Sequence, residues 1–454
     1  MTDGRRVPIA QLEGTEPEVW AIDDRQKLLA ARADKVWKVG RRPVFKVELA
    51  GGRSIRATSE HRLMALAGWT IVADLKAGDR LALARRVPEP VQPKRWPDHW
   101  VVLLAHLVGD GSYPDHQPLR YTTASEENSA AVRGAAELFG CRVTRNDGVG
   151  NWRQLLISGS GNRWSPIGVG KWLKDLGIFG QRSHQKHLPA EVFSLPNSQV
   201  ALLLRHLWAT DGTISPCQPG RSGGHKVGFT TCSLRLADDV AALLLRLGIL
   251  SRTHAVKVGH YRPVYMVYVS GAGSQRAFLQ EVGAFGPRRE SAALLAEALR
   301  GVRANADVDA LQMHVVAADR VERAPGHTHT ASDAELLDSR EPEESSDLFW
   351  DRIVAITAEG EEDVFDLTVP GPACWLADGI ASHNSGSLEQ DSDMILLIYR
   401  EEVYDRNTTK KGIAEIGLVK HRNGEIGTFL LTFQGQYTRF ANYVSDSYAE
   451  GVLR

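Results

Sequence analysis

Cysteine is scarce: four residues in 454, Cys141, Cys217, Cys232 and Cys374, widely spaced and with no C-x-x-C pair. That pattern indicates neither a disulfide framework nor a cysteine zinc site, and a reducing, cytoplasmic setting suits it best. No apolar run is long enough to cross a bilayer, so no membrane partner is expected. The opening MTDGRRVPIAQLEG lacks the apolar core of a signal peptide. Neither sign of charge is in excess: the net charge is -1, so any nucleic-acid face must be local. His327 and His329 form an H-x-H in PGHTHTASD with no third ligand nearby, and read as a solvated loop. There is no G-x-x-x-x-G-K-[ST] either. GVGKW at 168–172 lacks both the first Gly and the Ser/Thr, so the chain binds no ATP through a P-loop of its own.

What is present divides into blocks. Residues 1–87 read as β-structure, with a hairpin in VFKVEL (44–49), AGG and RSIRAT (53–58), and a further strand in DLKAGDRLALA (74–84). The Pro-rich stretch at 88–99 is a linker. Residues 100–290 mix helix with strand and repeat themselves. LLAHLVGDGS (103–112) matches LLRHLWATDGT (203–213), and LLISGSG (155–161) matches VYVSGAG (267–273), in conserved order. Residues 291–347 run from the helical ESAALLAEALRGV into the acidic DAELLDSREPEESSD. From 348 to 384 the β-pattern returns: RIVAIT (352–357), a turn at AEGEE, DVFDLTV (363–369), then CWLADGIAS with an Asp378-Gly379 hairpin. Two halves of one β-fold thus flank an inserted, duplicated α/β domain. The chain changes character once more after Asn384.

The β-halves carry a specific chemistry. Thr58 and His61 stand three apart at a strand end, and His383-Asn384-Ser385 ends the second half. An Asn amide can attack its own backbone carbonyl, closing a succinimide and breaking the next peptide bond; orientation alone drives such a reaction. The adjacent His can supply a proton, positioned donors can polarise the carbonyl, and the Ser385 hydroxyl can accept an acyl group. VPIAQL, GGRSIRATSEHRLMALAGW…DLKAGD and RIVAIT…VFDLTV…WLADGIASHNS resemble the sequence blocks of inteins, in order and spacing. The resemblance implies a discontinuous all-β Hint horseshoe in which Thr58 and His61 activate the N-terminal scissile amide. It implies that Asp366 assists acyl transfer, that His383 and Asn384 execute the last cleavage, and that Ser385 is the C-side nucleophile. Two departures stand out. The family begins with a Cys- or Ser-led strand, so the first strand and its nucleophile are expected to be missing here. Met1 cannot replace that nucleophile, and an upstream fragment is the expected partner. Cys374 also occupies the place, ten before the terminal Asn, where many inteins have His.

Each repeat opens with an amphipathic helix ending in Asp-Gly. Two matched helices side by side would bring Asp110 and Asp211 together, and paired carboxylates suit Mg2+ and metal-assisted attack on a phosphodiester. The motifs resemble the double-motif LAGLIDADG homing endonucleases that inhabit inteins. That resemblance implies cutting of double-stranded DNA at a long asymmetric target in the intein-free form of the host gene. It implies metal held by Asp110 and Asp211, and it points to Lys186, in LKDLGIFGQRSHQKHLP, as the catalytic-site lysine. His206 stands where the family commonly has Gly, and is expected to loosen the helix crossing. Arg120, Arg153, Lys226 and Arg252 are candidate phosphate contacts.

Beyond Asn384, SGSLEQDSDMILLIYREEVYD and GIAEIGLVKHRNGEIGTFLLTFQGQYTRFANY resemble the C-terminal end of the DnaB-type replicative helicases, a fragment of a RecA-like α/β domain at 385–454. A strand and a hairpin around Asn423-Gly424 are predicted. The resemblance implies a hexamer once spliced, with ATP bound only in the intact helicase and with Lys420 and Arg422 facing a neighbouring subunit's nucleotide. The residues alone leave a second reading open: a DNA-binding remnant with neither cleavage activity.

Overall fold

The computed structural model describes residues 1–114, 117–148, 150–159, 167–217, 224–257, 262–302, 346–384, 394–404, 408–421, 424, 427–437 and 439–443. The chain divides into two compact units, Met1–Asn384 and Ser385–Arg454.

In the first unit, strands from both flanks of the insert join one antiparallel sheet. Its order is Cys374–Ala377, Ile380–His383, Arg62–Ala65, Arg80–Ala84, Leu348–Thr368, Lys35–Leu49 and Ser54–Ala57, with Gly68–Ile71 paired onto Arg62–Ala65. The inward residues are aliphatic: Val47, Leu63, Leu81, Leu83, Ile353 and Ile380 are all fully buried. Each such side chain contributes roughly 1.5–3 kcal/mol of transfer free energy, so the two sequence-distant halves hold each other. The turn expected at AEGEE does not form. Leu348–Thr368 is one strand of 21 residues, bulged at Ala358/Gly360, where Gly360 has φ +90°. The 15-residue partner Lys35–Leu49 runs alongside without a break. This strand and its neighbour Ser54–Ala57 bring cations to the acidic stretch: Arg56 to Glu359 and Glu362, Arg41 to Glu361, Lys38 to Asp363. A bulge absorbs the glycine, and the strand continues past it.

The insert is a duplication in space as in sequence. Each half runs helix, two strands, helix, two strands, and each builds a four-stranded antiparallel sheet. In both sheets the second strand lies between the first and the fourth, with the third at the edge. The second helix of each half, Glu126–Leu138 or Leu234–Arg246, starts under a serine cap, Ser125 accepting from Asn128 N–H and Ser233 from Leu236 N–H. The first helices, Asp98–Asp110 and Asn197–Asp211, pack on each other at the centre of the main core.

Two arginines, Arg6 and Arg53, tie the insert to the hairpin of Cys374–His383. Arg6 bridges Asp239, on the Leu234–Arg246 helix, at 3.2 Å and Asp378 at 2.7 Å. Arg53 donates to the carbonyls of Asp378 and Ala241, both at 3.2 Å. Asp378 and Gly379 make the expected turn with φ +51° and +85°.

The second unit shows a four-stranded antiparallel sheet ordered Met394–Tyr399, Ile413–His421, Gly427–Gln434, Arg439–Asn442, with one short helix, Glu401–Tyr404. The predicted hairpin forms, with Leu418 opposite Gly427. Lys420 lies on its first strand opposite Ile395. Ser385, Arg422, Asn423, His327 and His329 fall outside the described residues.

Candidate functional site

The end of the first unit is held from several directions. Asn384 is buried, and its N–H donates to Ala373 O at 2.8 Å. Its side-chain amide is clamped on one peptide unit: Nδ2 donates to Val369 O and Oδ1 accepts from Val369 N–H, both at 3.2 Å. His383 Nδ1 lies 2.6 Å from Asn384 O. A carbonyl oxygen only accepts, so Nδ1 carries the hydrogen and polarises that carbonyl. Trp69 fixes the His383 ring by an edge contact at 4.7 Å. The sequence pattern suggests His383 as the adjacent proton donor; the geometry puts it first on the carbonyl.

His61 reaches the same place from the other half. Its N–H closes a turn onto Thr58 O at 3.2 Å, and its Nε2 bonds Ser382 Oγ at 2.6 Å. Burial, with His383 nearby, drives the His61 pKa down to about 4, so the ring is neutral. Ser382 is almost fully buried and joins the two motifs. Sequence reasoning missed it, because a serine inside a strand carries no signal until its partner is known. Asp366 is buried on the long strand, accepting from Leu367 N–H at 2.8 Å, three residues before the clamp at Val369. Cys374 pairs with His383 across the hairpin, but its thiol turns to Ile22 O at 3.4 Å.

At the heart of the insert, the two Asp-Gly helix ends meet. A Cβ on Gly109 would lie 2.1 Å from Thr210 Oγ1, so the helices approach backbone to side chain there. His206 does not loosen the crossing. It pairs with its repeat partner His106, Nε2 to Nδ1 at 3.0 Å, and His106 Nδ1 bonds Tyr121 OH at 2.9 Å. The hydrogen bonds let the two imidazoles pack against each other between the helices. Asp110 and Asp211 couple electrostatically: burial first, then Asp211, pushes the Asp110 pKa up to about 6, and burial raises that of Asp211. Lys186 is buried beside them, donating to the carbonyls of Gly109 at 2.6 Å, Gly111 at 2.9 Å and Leu107 at 3.5 Å. Burial lowers its pKa to about 8, against the pull of both aspartates.

The histidine pair gives a testable acid response. Burial drives His106 to about 3 and His206 to about 4. Both sit below the value of about 6.5 in an unfolded chain. The unfolded state therefore binds more protons, and stability is present above pH 6.5 and lost as pH falls below it. Between pH 7 and pH 5 a loss of order 2 kcal/mol is expected from His106. Asp110, raised rather than lowered, acts with the opposite sign and offsets part of it. Urea titrations at the two pH values measure this, and equal or greater stability at pH 5 would refute it. The His106→Leu/His206→Leu double variant should lose less stability over the same interval, leaving the smaller contribution of His61 set against the opposite trend of the raised carboxylates.

The candidate DNA contacts separate into two kinds. Arg153 is occupied, donating to Ala124 O at 2.6 Å and pairing with Glu126. Lys226 and Arg252 instead line a groove of about 480 Å³ on the second sheet, with His254, Tyr268 and Gln275. Arg120 sits on the Leu119–Thr123 strand opposite Leu156. Among the described residues no cluster of three or more metal-binding side chains exists, so the carboxylates stand as a pair. No described helix is long and apolar enough to cross a membrane.

Residues 1–384 match the intein splicing domain, and the chain belongs to that family. Residues 381–442 match the DnaB-like helicase C terminal domain, so the intein sequence runs directly into helicase sequence. Curated relatives agree. Replicative DNA helicase DnaB of Rhodothermus marinus is 37% identical over 97% of this chain and 51% of its own length; that of Synechocystis sp. is 33% identical over 97% and 54%. The chain thus spans about half the length of the curated relatives it matches. Among solved structures, an Ssp DnaB mini-intein variant, M86, aligns over 86% of this chain and 88% of its own at 14% identity and a TM-score of 0.28. I-DmoI in complex with DNA and Mn aligns over 41% and 97% at 13% identity and a TM-score of 0.28.

Proposed function

We propose that this chain breaks its own backbone at Asn384-Ser385 by cyclisation of Asn384, alone or as the last step of splicing with an upstream fragment. One observation carries this reading: the His383 Nδ1–H group at 2.6 Å from the Asn384 carbonyl oxygen. Asn384 Nδ2 attacks that carbonyl carbon and the succinimide ring closes. The bond to Ser385 breaks, and the proton lost by Nδ2 balances the one gained by the departing amine. A donor already aimed at the oxygen stabilises the charge that develops there. The nucleophilic nitrogen must first leave Val369 O, so release of the clamp precedes attack. Thr58, His61 and Asp366 belong to the earlier acyl-transfer steps at the upstream junction. Of these, His61 bonds Ser382, two residues before Asn384, and so connects the two motifs. Mass spectrometry of purified chain over time tests the reading: fragments 1–384, as succinimide, and 385–454 are expected. An intact mass that persists would overturn it.

The insert supports a second activity, metal-dependent cutting of double-stranded DNA at a long asymmetric target in the intein-free helicase gene. The coupled pair Asp110 and Asp211 carries it. Two half-buried carboxylates, both raised by burial and Asp110 further by its neighbour Asp211, fit a hard divalent cation such as Mg2+, which relieves the cost of their charge. Bound there, the ion would supply an activated water and offset phosphate charge. Lys186 holds the end of the first helix and so sets where Asp110 points. Lys226, Arg252 and Arg120 present cations to the DNA backbone. The helicase portion contributes Lys420 and Arg422 to ATP at a neighbouring subunit only within the intact hexamer. Binding of the target with neither cut would instead identify a DNA-binding remnant.

A further inference from the structure

Two cations serve the carboxylate pair, and they are used differently. Lys186 is committed: its ammonium donates to three carbonyls at the end of the Asp98–Asp110 helix, over the ring of Tyr113. An ammonium has three protons, so none remains for a substrate. Arg288 is different. Among the described residues its guanidinium makes no hydrogen bond or ion pair, and its Nε is buried without a partner.

The turn that carries Arg288 is firmly placed. Phe285 stacks on His206 at 4.2 Å and meets His106 edge-on at 6.2 Å. Gly286, at φ +58°, lies so close to Asn128 that a Cβ would come within 2.6 Å of Asn128 Oδ1. Asn128 in turn donates to Ala209 O at 3.0 Å, two residues before Asp211. The Gly286–Arg288 turn is thereby pinned beside the Asp ends of both central helices, and the field of Arg288 lowers the pKa of Asp110 and of Asp211. A half-buried guanidinium this near two carboxylates, yet paired with neither, keeps its planar fork free. That fork matches two oxygens of a phosphate, and a partly desolvated cation without a partner is stabilised by receiving one.

We propose that Arg288 binds a backbone phosphate of the DNA strand presented to Asp110 and Asp211, providing the free cation that Lys186 does not. The proposal rests on the nuclease reading above. It is tested with the full chain and the intein-free target in two assays: single-turnover cutting with Mg2+, and metal-free binding across a salt series. Arg288→Ala should cut about 10²-fold more slowly. Its plot of log Kd against log salt should be shallower by about 0.9, the loss of one phosphate contact. Arg288→Lys should keep the native slope and recover part of the rate, which a merely structural arginine would not do. Cutting by Arg288→Ala within threefold of the native chain, with the native slope, overturns the proposal; Asp110→Asn remaining inactive alongside would show that the nuclease reading still stands. A native chain that does not cut overturns both.

Discussion

Asn384→Ala leaves the chain at its full mass under conditions in which the native chain divides. The substitution removes the nucleophile itself, and no other side chain lies in position to form the five-membered ring. His383→Ala keeps the nucleophile but removes the donor 2.6 Å from the carbonyl oxygen. Loss of one such donor slows a reaction of this type by about 10²–10³-fold. His383→Ala should therefore still yield the same two fragments, slowly. Equal rates for His383→Ala and the native chain, followed by mass spectrometry, would show that the contact has no part in the chemistry. Since Asn384 is clamped at Val369 in the resting structure, the native reaction itself should be slow, limited by release of that clamp.

The second large effect is in the insert. Asp110→Asn should abolish the Mg2+-dependent cut, a loss of at least about 10³-fold, because an amide oxygen carries none of the negative charge that offsets the cation. Asp211→Asn should do the same. The native enzyme has a pH signature of its own. Asp110 titrates near pH 6, and only its ionised form holds the cation. With Mg2+ below saturation, cutting should fall about tenfold per pH unit below 6 and level off above it. The same substitution should not harm the fold. It removes a carboxylate that burial and Asp211 disfavour, so metal-free Asp110→Asn should be more stable at pH 7, by about 1–3 kcal/mol. An inactive but more stable variant separates a site residue from a structural one. A cut that survives Asp110→Asn removes the assignment.

Much of this architecture could be read from the residues, and the failures have physical causes. The duplication was readable because hydrophobic period and the Asp-Gly ends recur together, and a helix end is a local feature. The Asp378-Gly379 turn was readable because its positive φ values restrict the residues that can form it. AEGEE was misread because Gly and acidic residues signal a turn locally, whereas here the sequence-distant strand Lys35–Leu49 supplies pairing, with Arg41 and, from the next strand, Arg56 facing the acids. His206 was misread because its match, His106, had to be seen as a contact across the helix pair. Ser382 and Arg288 gave no signal at all: each acquires meaning only from side chains brought to it by the fold.

The bridges from Arg6 and Arg53 have a consequence for anyone shortening this chain. Excising the insert would keep every group of the cleavage reaction, since Thr58, His61, Asp366, His383 and Asn384 all lie outside it. It would also remove Asp239 and the Ala241 carbonyl, the outer anchors of both arginines, and leave the tip of the terminal hairpin fastened at one side only. A minimal version therefore needs a replacement acceptor grafted next to Arg6, and the graft's quality should be visible in how well the Asp378-Gly379 tip keeps its amide protons against exchange with deuterated solvent.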